Sequence, residues 1–163
     1  MSKNNKAGWH VSGAQSQLLV WASTNAVQAI GTGAYVDSLF QYEERDTLGE
    51  YDPVTGIYTA QNAADYLVIW RVSTTYVAWT VNQYWESLLS RNNLTADGDC
   101  WQAMEQGFAE VTGISQVIAS GGVKIVPLTV GQTLRVKILH NRGADVNTYG
   151  ARQHGFFQIA RLT

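Results

Sequence analysis

Short runs of strand-forming residues, each closed by turn residues, constrain the fold of this chain more than any other feature. The clearest run is residues 66–72, YLVIWRV. Successive side chains of a strand point to opposite faces, so Tyr66, Val68 and Trp70 share one face of it. Residues 133–140, TLRVKILH, alternate in the same way between apolar and other residues. Both patterns indicate β-strands rather than helices.

Similar runs recur along most of the chain and are separated by Gly, Asn, Asp and Ser clusters. They predict an all-β fold, a single jelly-roll β-sandwich of about eight to ten antiparallel strands. The polar segment at residues 1–16 is interpreted as an N-terminal arm, and residues 17–163 as the jelly-roll domain. The further runs lie at residues 17–30, 34–44, 57–58, 73–90, 123–128 and 154–162.

Three local features refine this prediction. In the segment DPVTG, Asp52-Pro53 favours turn initiation and Gly56 supplies the residue with positive φ. Residues 123–128 and 133–140 resemble a hairpin about a glycine turn, and Pro127 predicts an edge position for the first of these strands.

Residues 99–110 are ambiguous between two structures. Trp101, Met104 and Phe108 could form one face of a short helix, whereas Gly107 and the weak periodicity leave a strand equally open.

Composition narrows the class of partner. Only 15% of the residues are charged, and six Trp and eight Tyr are present. So little charge favours oligomerisation, because a free domain of this size exposes less apolar surface. The formal net charge is −2 without any basic run, which argues against nucleic-acid binding. No apolar stretch approaches ~18 residues, so no membrane span is expected.

Cys100 is the only cysteine, which excludes an intrachain disulfide and a cysteine zinc cluster. A lone thiol is typical of a protein that matures in a reducing cytoplasm. The first thirteen residues contain no apolar core of a signal peptide, so classical secretion is not expected.

No pattern predicts catalysis, a cofactor or a metal. The loop at residues 93–98 has the oxygen spacing of a calcium loop, but Met104 stands where the bidentate Glu is needed, so a β-turn is preferred. The histidines are far apart in sequence and are interpreted as surface or turn residues. The acidic residues are interpreted as a solvated edge, because an enzyme would need two of them to converge in a pocket. The residues concerned are His10, His140 and His154, and Asp37, Glu43, Glu44, Asp46 and Glu50.

The aromatic residues between positions 70 and 85 are dense enough to allow two interpretations. Most of them suit a core. Those that are exposed would suit stacking on sugar rings or packing against a neighbouring chain, and Trp79, Tyr84 and Trp85 are the candidates for facing a ligand.

Two parts of the chain carry a family resemblance. Residues 52–60, DPVTGIYTA, followed by Tyr66-Leu67-Val68, resemble the signature of the globular head of complement component 1q and its tumour-necrosis-factor-like relatives. Residues 121–139 resemble the later glycine-containing hairpin of that family, and residues 156–162, FFQIARL, its final strand. Loosely counted, the resemblance covers residues 40–72 and 120–163.

The resemblance implies a ten-stranded jelly roll that forms a compact homotrimer and is not an enzyme. Its interface would lie around a threefold axis at Tyr66, Val68, Trp70, Phe157 and Ile159. With one cysteine and no collagen-like repeat, a bacteriophage virion protein is the favoured context. The chain would then be a capsid decoration, head-fibre or tail-fibre tip protein, made in the host cytoplasm and attached to a capsid or fibre-shaft protein through residues 1–16. The alternative is a carbohydrate- or receptor-binding surface module of a bacterium, whose partner is a cell-surface glycan.

Overall fold

The computed structural model describes residues 17–94, 99–102, 107–109 and 112–162, and these form strands, turns and one 3₁₀ turn. No helix among them is long and apolar enough to cross a membrane. The strands are β1 (Gln17–Ser23), β2 (Ala29–Ile30), β3 (Val36–Asp37), β4 (Tyr42–Asp46), β5 (Tyr51–Asp52), β6 (Ile57–Thr59), β7 (Ala64–Ser73), β8 (Val77–Ala78), β9 (Tyr84–Arg91), β10 (Cys100–Gln102), β11 (Gly107–Phe108), β12 (Ser115–Gln116), β13 (Ala119–Leu128), β14 (Thr133–His140), β15 (Val146–Asn147) and β16 (Phe156–Leu162), with the 3₁₀ turn at Arg152–His154.

Two antiparallel sheets account for most of the strands. The first has the order β13-β7-β16-β1-β4 and the second the order β10-β9-β14-β6-β5, with β11 added to β9 and β3 to β14. Two further pairs, β12-β8 and β15-β2, lie outside these sheets. Alternate residues of the two sheets meet in one apolar core. The predicted all-β jelly roll is confirmed.

The core contains the residues that the family resemblance assigned to a threefold interface. Their side chains are between 0% and 2% exposed in the single chain and point between the two sheets. A side chain that is already enclosed between the sheets cannot contact a neighbouring chain, so this assignment is corrected. The residues concerned are Tyr66, Val68, Trp70, Phe157 and Ile159.

Aromatic pairs and one polar chain fix the centre of this core. The rings of Phe40 and Phe157 stack at 5.6 Å between centroids. The indole N–H of Trp70 donates to Ser87 Oγ at 3.0 Å, which connects the two sheets through a satisfied hydrogen bond. Buried Trp is tolerated where its N–H finds such a partner.

The strands on either side of Gly131 do not form the predicted hairpin. β13 pairs with β7 in the first sheet, whereas β14 pairs with β9, β6 and β3 in the second. The turn at Gly131, with φ of 83°, therefore carries the chain from one sheet to the other. β13 is an edge strand, as Pro127 predicted.

The ambiguous segment is extended wherever the structure describes it. Trp101 lies in β10 and Phe108 in β11, and both strands pair with β9. The helical alternative is wrong at these two positions, and Met104 lies outside the described residues. So do residues 1–16 and most of the loop at 93–98, so the arm and the β-turn stay predictions.

The turn after Asp52 forms as the sequence predicts. The Asp52 carboxylate accepts hydrogen bonds from Val54 N–H at 2.9 Å and Thr55 Oγ1 at 2.7 Å, and these bonds lower the pKa of the carboxyl. Gly56 has φ of 71°, and a Cβ on it would lie 2.6 Å from the backbone oxygen of Ser38. Both the conformation and the close approach therefore require glycine.

Gly56→Ala is expected to lower the free energy of unfolding by about 2–3 kcal/mol, because a left-handed residue and a backbone clash add together. Gly131→Ala is the matched control: its φ is 83°, but nothing lies within 4 Å of the added Cβ. It should cost only about 1 kcal/mol. Equal midpoints of the two variants in urea denaturation would contradict the role of the Ser38 contact.

Candidate functional site

The outward face of the five-stranded sheet is mainly apolar across four of its five strands. Antiparallel pairing sets its side chains in two rows across β13, β7, β16 and β1, and Trp21, Val123 and Ile125 are 39%, 48% and 53% exposed. Monomeric domains seldom present so many neighbouring apolar side chains to water. The first row is Val123, Ile69, Gln158 and Trp21, and the second is Ile125, Leu67, Ala160 and Leu18.

The sequence of β7 explains why this face is apolar. A strand with one face in water normally alternates apolar and polar residues. In YLVIWRV the inward residues fill the core, yet the outward Leu67 and Ile69 are apolar as well. Charges occur only near the ends of the strand, at Asp65 and Arg71. We call this outward face, centred on Leu67 and Ile69, the apolar face.

The apolar face has a concavity of about 460 Å³ at its β13 edge. It is lined by two glycines and by apolar side chains, with one charged side chain beside them: Gly121, Gly122, Ile69, Val123, Phe156 and Arg71. A Cβ on Gly121 would lie 2.4 Å from the backbone oxygen of Trp70, so glycine is required there. The apolar face therefore includes a recess beside β13.

Two of the three aromatics predicted to face a ligand are buried. Trp79 is 1% and Trp85 0% exposed, so neither can stack on a sugar. Both pack on His140, Trp85 in a stack at 5.8 Å and Trp79 edge-on at 6.4 Å. Tyr84 is partly exposed and contacts Phe108, which is 57% exposed.

His140 is a core residue, so its interpretation as a surface or turn residue is wrong. It is 0% exposed; Nε2 lies 2.9 Å from the carbonyl of Ile30, and Nδ1 accepts the N–H of Arg142 at 3.3 Å. Alternation in TLRVKILH places His140 on the same face as Ile138, and this signal could have identified it from the sequence.

The clustered acidic residues serve separate structural roles. Asp37 pairs with Arg135 and Lys137, both at 2.8 Å. Glu50, 3% exposed, accepts Tyr58 Oη at 2.9 Å and the N–H of Gln61 at 2.8 Å. The predicted solvated edge is therefore wrong for Glu50.

Glu50 lines a concavity of about 350 Å³ together with Asp52, and both carboxylates already accept hydrogen bonds from neighbouring groups. The described residues bring no three potential metal ligands together. Asp46 uses its carboxylate to accept backbone N–H groups of the turn that follows it, including that of Tyr51 at 2.9 Å. These hydrogen bonds order the turns that follow Asp46 and Asp52.

Glu86 gives the second sheet a pH-dependent element. Glu86 is 7% exposed, its carboxylate accepts the hydroxyl of Tyr35 at 3.5 Å, and burial raises the pKa of the carboxyl. Ionisation of this carboxyl at neutral pH therefore lowers the free energy of unfolding. The loss is recovered as the pH falls through the raised pKa and the carboxyl becomes protonated.

Glu86→Gln is expected to raise the thermal midpoint at pH 7, because the amide removes the buried charge and keeps an acceptor. The gain should shrink towards about pH 4, where the native carboxyl is protonated. Differential scanning calorimetry at both pH values measures this, with the exposed Glu43→Gln as control. A lower midpoint at pH 7 would contradict it.

Comparison with known proteins identifies the architecture but no close relative. No family model matches the chain, and no curated protein does. Among solved structures, the globular domain of zebrafish complement 1qA is similar with a TM-score of 0.56 and 11% identity, over 88% of this chain and 95% of that one. Eiger TNF from S. frugiperda matches with a TM-score of 0.63 and 13% identity, over 90% and 93%. Murine APRIL at pH 8.0 matches with 0.60 and 12% identity, over 88% and 98%.

These similarities cover almost the whole of each solved domain, so the chain has the complement 1q and tumour necrosis factor type of jelly roll. The resemblance seen in residues 52–72 is confirmed at the level of the fold. At 11–13% identity, the similarity to these structures shows the fold alone.

Proposed function

We propose that this chain, a jelly roll of the complement 1q and tumour necrosis factor type, is a non-enzymatic structural module that acts as a homotrimer. The observation that carries the proposal is the apolar face, which leaves Leu67, Ile69 and Trp21 on the outside of an already complete core. A trimer is preferred over a dimer because the sequence signature at residues 52–60 resembles that of a trimer-forming family.

The energetics favour association through this face. Burying a large apolar side chain contributes roughly 1.5–3 kcal/mol before the entropy of association is subtracted. Val123, Ile125 and Trp21 are each more than one-third exposed in the single chain. Association could therefore remove further apolar surface of these side chains from water. Pairing also remains open along β13, because an edge strand presents unpaired backbone groups.

The proposed setting is a bacteriophage virion, with the module as capsid decoration, head-fibre or tail-fibre tip protein. Residues 1–16 would attach it to a capsid or fibre-shaft protein. The single cysteine supports assembly in a reducing cytoplasm, since no intrachain disulfide is needed to hold the core.

Particle binding tests this setting. The native protein should co-sediment with virions, and a variant without residues 1–16 should keep its mass per assembly but no longer co-sediment. Failure of the native protein to co-sediment would contradict the virion setting while leaving self-association intact.

One observation favours the alternative of carbohydrate or receptor binding. Exposed Phe108 and partly exposed Tyr84 form an aromatic pair, with centroids 6.4 Å apart, on the second sheet rather than on the apolar face. Such a pair suits stacking on a sugar ring. A glycan array with the native protein and with Phe108→Ala tests it: binding that disappears in the variant supports the alternative, and no binding by either argues against it.

A further inference from the structure

One polar side chain lies in the middle of the apolar face. Gln158 of β16 stands between Ile69 of β7 and Trp21 of β1 in the first cross-strand row. It is only partly exposed, and its amide bonds to no other group in the described part of the chain. The neighbouring Ala160 and Phe156 on the same strand face are non-polar.

Covering the apolar face creates a hydrogen-bonding requirement at Gln158. A buried amide without a hydrogen-bond partner is destabilising, so a purely apolar partner would be disfavoured. The amide has a carbonyl acceptor and two N–H donors. A copy of the same chain related by rotation brings the same amide, and with Gln158 placed at the rotation axis each amide can donate to the next until the ring closes.

We propose that Gln158 sets the register and the number of chains in the assembly, with a second copy of this chain as its partner. This inference rests on the proposed self-association. Apolar contacts on either side of Gln158 tolerate sliding, because aliphatic surfaces are not directional. The amide is directional, and one such polar group in an apolar seam specifies register and oligomer number in coiled coils.

Two substitutions test how the amide of Gln158 sets the register and the number of chains. Gln158→Leu keeps the size and removes the polarity, so association should persist while native mass spectrometry and sedimentation velocity show more than one assembly size. Gln158→Glu brings like charges together, so the dissociation constant should rise by about 100-fold or more at pH 7. Protonation of the new carboxyl below about pH 4 should restore the native mass.

Gln153, exposed in the 3₁₀ turn, provides the matched controls Gln153→Leu and Gln153→Glu, which should keep the native mass. Native-like mass and affinity in both Gln158 variants would overturn the role of Gln158 while leaving self-association standing. A monomeric native protein would instead overturn the self-association on which the inference depends.

Discussion

Trp70→Ala is expected to lower the free energy of unfolding by about 3–5 kcal/mol, the range for removing a large aromatic side chain from a packed core. Trp70 is 2% exposed, and its indole N–H bonds to Ser87 Oγ, which also contacts Ser120 Oγ at 2.9 Å. The change would leave a cavity between the sheets and remove one partner of this buried chain. Equilibrium denaturation in urea at a fixed protein concentration measures the loss.

Trp21→Ala is the control that separates core from surface. Trp21 is the same residue type, but it is 39% exposed on the apolar face. Its removal should change the unfolding free energy of the dissociated chain by less than about 1 kcal/mol. Equal losses for Trp70→Ala and Trp21→Ala in dissociated chains would contradict the assignment of Trp70 to the core.

Ile69→Glu is expected to dissociate the assembly without unfolding the chain. Ile69 lies at the centre of the apolar face, beside Val123 and Gln158. A carboxylate there would lose most of its water on association, at a cost that Arg71 in the same concavity only partly offsets, yet it stays solvated in a single chain. The dissociation constant should rise by at least about 100-fold, the effect of losing a central contact worth about 3 kcal/mol. Light scattering measures the mass, and far-UV circular dichroism checks the fold.

Val54→Glu provides the comparison for a charge placed elsewhere. Val54 is 80% exposed in the turn after Asp52, away from the apolar face. This variant should keep the native mass. Dissociation by Val54→Glu, or an unchanged mass for Ile69→Glu, would show that the apolar face does not mediate association.

Local sequence patterns predict the longer strands and the turn after Asp52, because these features depend on neighbouring residues. Alternation in YLVIWRV identified β7, and Asp52 with Gly56 identified the turn, since both signals are local. The sequence does not show which face of β7 meets the core, because both faces of this strand are apolar. Only pairing with β13 and β16, distant in sequence, decides which face meets the core.

The same limit explains the other differences. A strand, a glycine turn and a second strand have one local pattern whether the strands pair or cross between sheets, as they do at Gly131. Trp79 and Trp85 are of a residue type that often stacks on sugar rings, but both pack on His140 inside the core. Gln158 is inconspicuous in FFQIARL and becomes notable only when its cross-strand neighbours are known.

The molar mass of the native protein in solution tests the central claim most directly. Sedimentation equilibrium at micromolar concentration should give three times the 18.0 kDa of the single chain, and Ile69→Glu should give 18.0 kDa. A native mass of 18.0 kDa under these conditions would contradict association through the apolar face.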